Sequence, residues 1–153
     1  MIILDTNVIS ELMRPKPEEK VIAWLDRLPS SSLWISSVTV FEIGFGFQGM
    51  SMGKRRDSHA EGFENLLKQI DHRVAPFDYE AAQYASRLTA ARKTMGRPRE
   101  SRDTMIAGIV LSRHATLATR NTKDFDDISA AVINPWTANC LTSRQGQHDI
   151  LVA

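Results

Sequence analysis

Three apolar residues, Ile2, Ile3 and Leu4, run without a break into an aspartate at position 5. An apolar run of this length, with no alternation, reads as a strand buried on both faces, the kind that parallel sheets are built from. A carboxylate within the buried length of such a strand would carry a large desolvation cost. Asp5 therefore belongs at the strand's end. In an open parallel sheet, the carboxyl ends of the strands are where ligands bind. One short stretch thus predicts a covered sheet and an acid at its ligand-binding edge.

The rest of the chain supplies the other layers. Val8–Arg14 reads as a short helix stopped by Pro15 and Pro17, and Pro17-Glu18-Glu19 opens another that places Val21, Trp24, Leu25 and Leu28 on one face. Leu33-Trp34-Ile35 is a strand. Ser36 or Ser37 is a suitable N-cap for a helix that gathers Val38, Phe41, Glu42 and Phe45 on one side. Gly46 to Asp57, with Lys54-Arg55-Arg56, reads as a helix end and an exposed loop. Helical spacing resumes over His59–Ile70 and again after Asp78, with an extended link at Arg73–Phe77 between them. Arg92–Arg102 reads as a polar loop. A helix from about Ser101 then carries Asp103, Ile106, Ala107, Val110 and Leu111 on a common face. Ala115–Thr119 and Ala131–Ile133 are the last strands, and Asn134-Pro135-Trp136 closes the series. Strands alternating with helices predict an α/β fold with a parallel sheet covered on both faces.

The chain has 153 residues, enough for one domain with a sizeable core. A net charge of +1 excludes a strongly basic nucleic-acid binder on charge alone, though not a local basic patch. A single cysteine, Cys140, can form neither an internal disulfide nor a cysteine-based zinc site. No apolar run approaches the ~20 residues that cross a bilayer, and Asp5 interrupts any signal-peptide pattern. We expect a cytoplasmic protein without membrane contact. Residues from Thr137 onward are polar and aperiodic, and are expected to form a weakly ordered tail at 137–153 behind a domain at 1–136.

Four acids stand out. Asp5 and Asp124 follow predicted strands, and Glu42 and Asp103 sit within the apolar faces of predicted helices. Singly, each has an ordinary explanation: a helix cap for Asp5 or Asp103, an arginine partner for Glu42, an acidic turn for Asp124 with Asp126 and Asp127. Together they would repel strongly unless a cation joined them. An oxygen-only set suits Mg²⁺ or Mn²⁺ rather than zinc.

Four blocks resemble the signature blocks of the PIN domain. They are Ile-Leu-Asp-Thr-Asn at 3–7, Ser-Ser-Val-Thr-Val-Phe-Glu-Ile at 36–43, Asp-Thr-Met-Ile-Ala at 103–107 and Thr-Arg-Asn-Thr-Lys-Asp-Phe at 119–125. The closing Ile-Asn-Pro-Trp at 133–136 resembles the VapC/FitB toxin branch. The resemblance covers Met1 to Trp136. It implies a PIN-like three-layer α/β/α sandwich with a central, mostly parallel sheet. It also implies a Mg²⁺- or Mn²⁺-dependent endoribonuclease, the toxin half of a type II toxin–antitoxin pair, with transfer RNA as the expected substrate. Asp5, Glu42, Asp103 and Asp124 match its catalytic and metal-binding acids. Some relatives place an acid where this chain has Asn121. Thr6, Asn7 and Thr119, with Asn121, match positions that support the acids. The implied partners are a VapB/FitA-like antitoxin, RNA, a second copy of the chain and, through the antitoxin complex alone, operator DNA.

Arg120 and Lys123 are the candidate RNA contacts nearest the acids. Lys54-Arg55-Arg56 and the arginines of 92–102, among them Arg99 and Arg102, are further candidates set against a plain solvated surface. His59, His72, His114 and His148 show no ligand spacing, and Trp24, Trp34 and Phe47 read as core or interface residues, ahead of stacking on RNA bases. Two rival readings stand beside the nuclease. An aspartyl-phosphotransfer domain would also place Asp after a first strand, but Asn7 and Val8 do not supply a second aspartate and Lys123 is poorly placed as its lysine. Acetyl phosphate labelling of Asp5 would favour it. A non-catalytic PIN-like binding module would keep the fold without binding Mg²⁺ or Mn²⁺.

Overall fold

The computed structural model describes residues 1–138. Five strands, β1 Ile2–Leu4, β2 Leu33–Ser36, β3 Val74–Ala75, β4 Thr116–Ala118 and β5 Val132–Ile133, form one sheet in the order β3-β2-β1-β4-β5. Every pairing is parallel. The chain builds outward from β1 to β2 and β3, then returns to add β4 and β5 on the other side. The crevice between β1 and β4 is thus where the strand order reverses, the position at which parallel sheets bind ligands.

The helices are α1 Thr6–Leu12, α2 Glu19–Leu25, α3 Ser37–Gln48, α4 Lys54–Gln69, α5 Tyr79–Thr94 and α6 Ser101–Ser112. Alternate strand residues enter opposite cores, as the pleat requires. Ile3 and Leu117 pack with Ile106, Ile109 and Val110 of α6 and Ala81 of α5. Leu4, Ile35 and Ala118 pack with Val8 and Ile9 of α1, Val21 of α2, Ile43 of α3 and Phe63 and Leu67 of α4. Two helical layers therefore enclose the sheet, and Trp24, Trp34 and Phe47 pack against these cores as expected.

Helices α5 and α6 approach closely at Gly108, where a Cβ would lie 2.4 Å from the Ala81 carbonyl oxygen and 2.9 Å from the Ala85 Cβ. At the end of α5, Gly96 takes φ +66°, and the amide of Arg97 donates to the Arg92 carbonyl at 2.9 Å. This left-handed stop, which favours glycine, turns the chain back toward the site at the start of α6.

Three expectations need correction. The helix end expected after Gly46 falls at Gln48, but the exposed loop expected to run to Asp57 stops short: α4 starts at Lys54, so the basic run is helical. The segment from Arg92 is helical to Thr94, and Arg92 is not a surface cation, being 1% exposed. Its Nε and Nη2 donate to the Asp127 carboxylate at 2.7 Å each, and Nη1 donates to Thr104 Oγ1 at 2.8 Å. Finally, α3 buries Val38, Thr39 and Ile43, whereas Phe41 and Phe45 stack on each other at the surface, 59% and 66% exposed. At about 100° per residue, the stripe facing the sheet falls one position away from the phenylalanines. The expected tail lies largely outside the described residues. Among the described residues no helix is long and apolar enough to cross a membrane.

Candidate active site

Asp5 ends β1 and caps α1. Its Oδ1 accepts from the Thr6 amide at 2.8 Å, and its Oδ2 accepts from Asn7 Nδ2 and Thr119 Oγ1, each at 2.7 Å. Asn7 Nδ2 also donates to Thr119 Oγ1 at 3.0 Å, and Asn7 Oδ1 accepts from the Arg120 amide at 3.0 Å. The ends of β1 and β4 are thus stitched together across the reversal point. Asp5 is 5% exposed, and all its hydrogen-bond donors are neutral. Burial pushes its carboxyl above the usual range, and the Glu42 charge adds to this against the hydrogen bonds from Thr119, Thr6 and Asn7.

Asp103 stands in the first turn of α6, whose cap is the neighbouring Glu100. Burial first, and then the charges of Asp5, Glu100, Asp124 and Glu42, raise its carboxyl to about 6. Acids from four separate parts of the chain therefore act on one another here. The Asp103 carboxylate accepts no hydrogen bond among the described residues.

Glu42 projects from α3. Its Oε2 accepts a short hydrogen bond from Thr6 Oγ1, and its Oε1 lies 3.5 Å from Arg102 Nε. Arg102 Nε also donates to Glu100 Oε1 at 3.0 Å. Asp124 lies in the 3-10 turn Thr122–Phe125, where its Oδ1 accepts from Arg99 Nη1 at 3.2 Å. Arg99 Nη2 reaches Asp126 at 3.2 Å, while its Nε is buried with no partner among the described residues.

The PIN domain family matches residues 2–131. The chain belongs to the PIN-domain family. Within it, a VapC ribonuclease of Sinorhizobium fredii is 39% identical over 89% of this chain and 98% of its own length. The toxin FitB of Neisseria gonorrhoeae is 38% identical over 89% of this chain and 99% of its own. A tRNA(fMet)-specific endonuclease VapC of Salmonella typhimurium is 31% identical over 87% and 96%. The solved structure of FitAB bound to a DNA fragment superposes with a TM-score of 0.82 at 36% identity, covering 91% of this chain and 98% of that one. The chain is therefore a PIN domain of the VapC/FitB branch.

The donor chemistry of this PIN domain fits a hard dication. Asp5, Glu42, Asp103 and Asp124 offer only oxygens, and the carboxyls of Asp5 and Asp103 are raised first by burial and then by neighbouring acids, both of which a bound cation would offset. Among the described residues, no three such side chains already stand grouped around one point. Thr6 and Arg102 contact Glu42, and Arg99 contacts Asp124.

Thr6, Asn7 and Thr119 all touch the acids. The Asn121 amide donates to Thr119 Oγ1 at 3.0 Å. Arg120 is exposed, with its guanidinium 5.2 Å from the centre of the Trp136 ring, and Lys123 is exposed. A groove of about 710 Å³ beside Thr6 and Glu42 is lined by Met13, Phe47, Arg55 and His59, among others. Sequence reasoning gave Arg55 only as part of a basic run of candidate RNA contacts and gave His59 no place in a site. Read as one helix, their i, i+4 spacing would have aligned them on one face.

Proposed function

We propose that this PIN domain is a metal-dependent endoribonuclease, the toxin component of a type II toxin–antitoxin pair, and that transfer RNA is its substrate class. The observation that supports the reading is that the charges of Asp5, Asp124 and Glu42 all act on Asp103, although no three of these acids stand grouped among the described residues. The named activities of the VapC relatives support RNA, and the Salmonella relative's name supports transfer RNA. Asp5, Glu42, Asp103 and Asp124 would hold Mg²⁺ or Mn²⁺. When bound, the ion would lower the pKa of a water and offset charge on the phosphoryl oxygens.

The chain's own residues do the rest. Thr6, Asn7 and Thr119 fix the Asp5 carboxylate by three neutral donors, so its orientation does not depend on a counter-ion. Asp103 and Asp5 keep the crevice negative at its centre. Arg99 and Arg102, which contact Asp124 and Glu42, with the exposed Arg120 and Lys123, would offer charge to the RNA backbone. Arg55 extends this cationic rim along the groove beside Glu42. No serine, cysteine or histidine nucleophile is needed.

Partners follow the same reading. A VapB/FitA-like antitoxin restrains the nuclease, and operator DNA is bound through the antitoxin, as the FitAB–DNA complex supports. The exposed Phe41–Phe45 pair supports a homodimer or other protein contact. The domain takes in Met1–Trp136. The test is cleavage of total RNA by the purified protein with sequencing of the new ends: cuts within transfer RNA that EDTA prevents support the proposal, and intact RNA at saturating Mg²⁺ and Mn²⁺ opposes it.

A further inference from the structure

The four proposed metal-binding acids are not equivalent. The inner pair, Asp5 and Asp103, has no cationic partner among the described residues. The outer pair has one each: Arg99, from the segment leading into α6, and Arg102, from the first turn of α6. Arg102 Nε lies 3.5 Å from Glu42 Oε1, and Arg99 Nη1 donates to Asp124 Oδ1 at 3.2 Å. Both arginines have a second, non-site acid to return to: Glu100 for Arg102, at 3.0 Å, and Asp126 for Arg99, at 3.2 Å. Gly96 and the cap of α6 fix the two ends of the segment that carries Arg99.

We infer that Arg99 and Arg102 form a built-in latch, which neutralises Asp124 and Glu42 until a dication takes those carboxylates and frees both guanidiniums for RNA phosphate. The inference rests on the proposed metal site and assigns these two residues a positioning role there. A guanidinium can exchange carboxylate for phosphate because both present paired oxygens to its planar fork. Neither present posture holds its arginine fully. Arg102 is 42% exposed, its Glu42 contact is longer than its Glu100 contact, and Arg99 leaves a buried Nε without a partner. An unpaired buried donor makes the latched state easier to leave. The outer acids are also the ones drawn toward arginines, which accounts for the lack of a preformed group of three ligands.

Mn²⁺ titration by calorimetry, without RNA, tests the latch directly. Arg102→Gln and Arg99→Gln should each bind Mn²⁺ roughly twofold to fivefold more tightly than the parent, the gain expected when a partly exposed ion pair stops competing. The control is Arg113→Gln, an equal charge change at a residue whose ion pair, with Asp78, shares no acid with Arg99 or Arg102 among the described residues. It should leave Mn²⁺ affinity unchanged. Glu100→Gln, which leaves Arg102 to Glu42 alone, should weaken Mn²⁺ binding and serves if Arg102→Gln fails to fold. In cleavage assays Arg102→Gln should raise KM for RNA more than it lowers kcat. Unchanged or weaker Mn²⁺ binding by folded Arg99→Gln and Arg102→Gln would overturn the latch, as would an equal gain in Arg113→Gln. A parent that binds Mn²⁺ but cleaves no RNA would instead contradict the nuclease proposal, and the Mn²⁺ comparison would still decide the latch.

Discussion

Thr119 at the end of β4 donates a 2.7 Å hydrogen bond to Asp5 at the end of β1, closing a separation of 114 positions. The same hydroxyl accepts from Asn7 and from the Asn121 amide. A single threonine therefore positions the buried acid and the loop that leads to Asp124. Thr119→Val keeps the shape and removes the hydroxyl. It should lower metal affinity by about 10- to 100-fold, as loss of a ligand-orienting partner does. Metal titration of the folded variant checks this, and circular dichroism confirms the fold.

Asp103 gives the site its pH dependence. The folded protein keeps a proton on this carboxyl up to about pH 6, whereas an unfolded chain releases it near pH 4. Between these values the folded state binds more protons, so this group's contribution to stability declines as pH rises through that window. Asp103→Asn should raise the Tm of the metal-free protein at pH 7, by the equivalent of on the order of 1 kcal/mol after screening by solvent. Added Mg²⁺ should stabilise the parent and leave the variant unchanged. Metal affinity of the parent should fall below pH 6, because the proton competes for the same carboxylate. Thermal melts from pH 4 to pH 8, with and without Mg²⁺, measure both effects.

The acids were legible in the sequence for a local reason. A carboxylate that ends an apolar strand, or heads an apolar helical face, is visible without knowing its neighbours, and Asp5 and Asp103 are of this kind, whereas the apolar face read around Glu42 is not the one α3 buries. The partners of the arginines were not legible. Arg92 lies at the start of a stretch rich in arginine, and nothing in that stretch marks it for burial against Asp127, 35 residues away. Arg102 meets Glu42 across a separation of 60 positions for the same reason. The helix from Lys54 was hidden by Gly49 and Gly53, whose turn signals outweighed the weak apolar periodicity that follows.

Arg92 and Asp127 offer a stability test remote from the chemistry. Arg92 is almost wholly buried, and Asp127, held below the usual carboxylate range by the Arg92 hydrogen bonds, is charged with it. Arg92→Met should leave Asp127 without its cation and cost about 3–5 kcal/mol in chemical denaturation. The double variant Arg92→Met/Asp127→Leu should cost less than the sum of the single ones, since it removes both charges together.

Gly108 tests the contact between α5 and α6. Alanine inside a helix ordinarily improves stability by about 1 kcal/mol over glycine. Here its Cβ would run into the Ala81 carbonyl, which is backbone and cannot rotate away. Gly108→Ala should therefore destabilise by about 1–3 kcal/mol, as overpacking does. Gly62 of α4, where a Cβ meets nothing within 4 Å, is the control: Gly62→Ala should be neutral or stabilising. Urea melts of the two variants distinguish these outcomes.

The central claim is that acids brought together at the β1–β4 crevice serve RNA hydrolysis through a dication. Its most direct test is RNA cleavage by metal-stripped protein before and after Mg²⁺ or Mn²⁺ is restored, with Asp5→Asn run alongside. Asn can still accept the Thr6 amide as a helix cap, so the variant should stay folded. Cleavage that returns with metal in the parent and stays absent in folded Asp5→Asn is the predicted result. Cleavage by the stripped parent, or parental rates in Asp5→Asn, would contradict it.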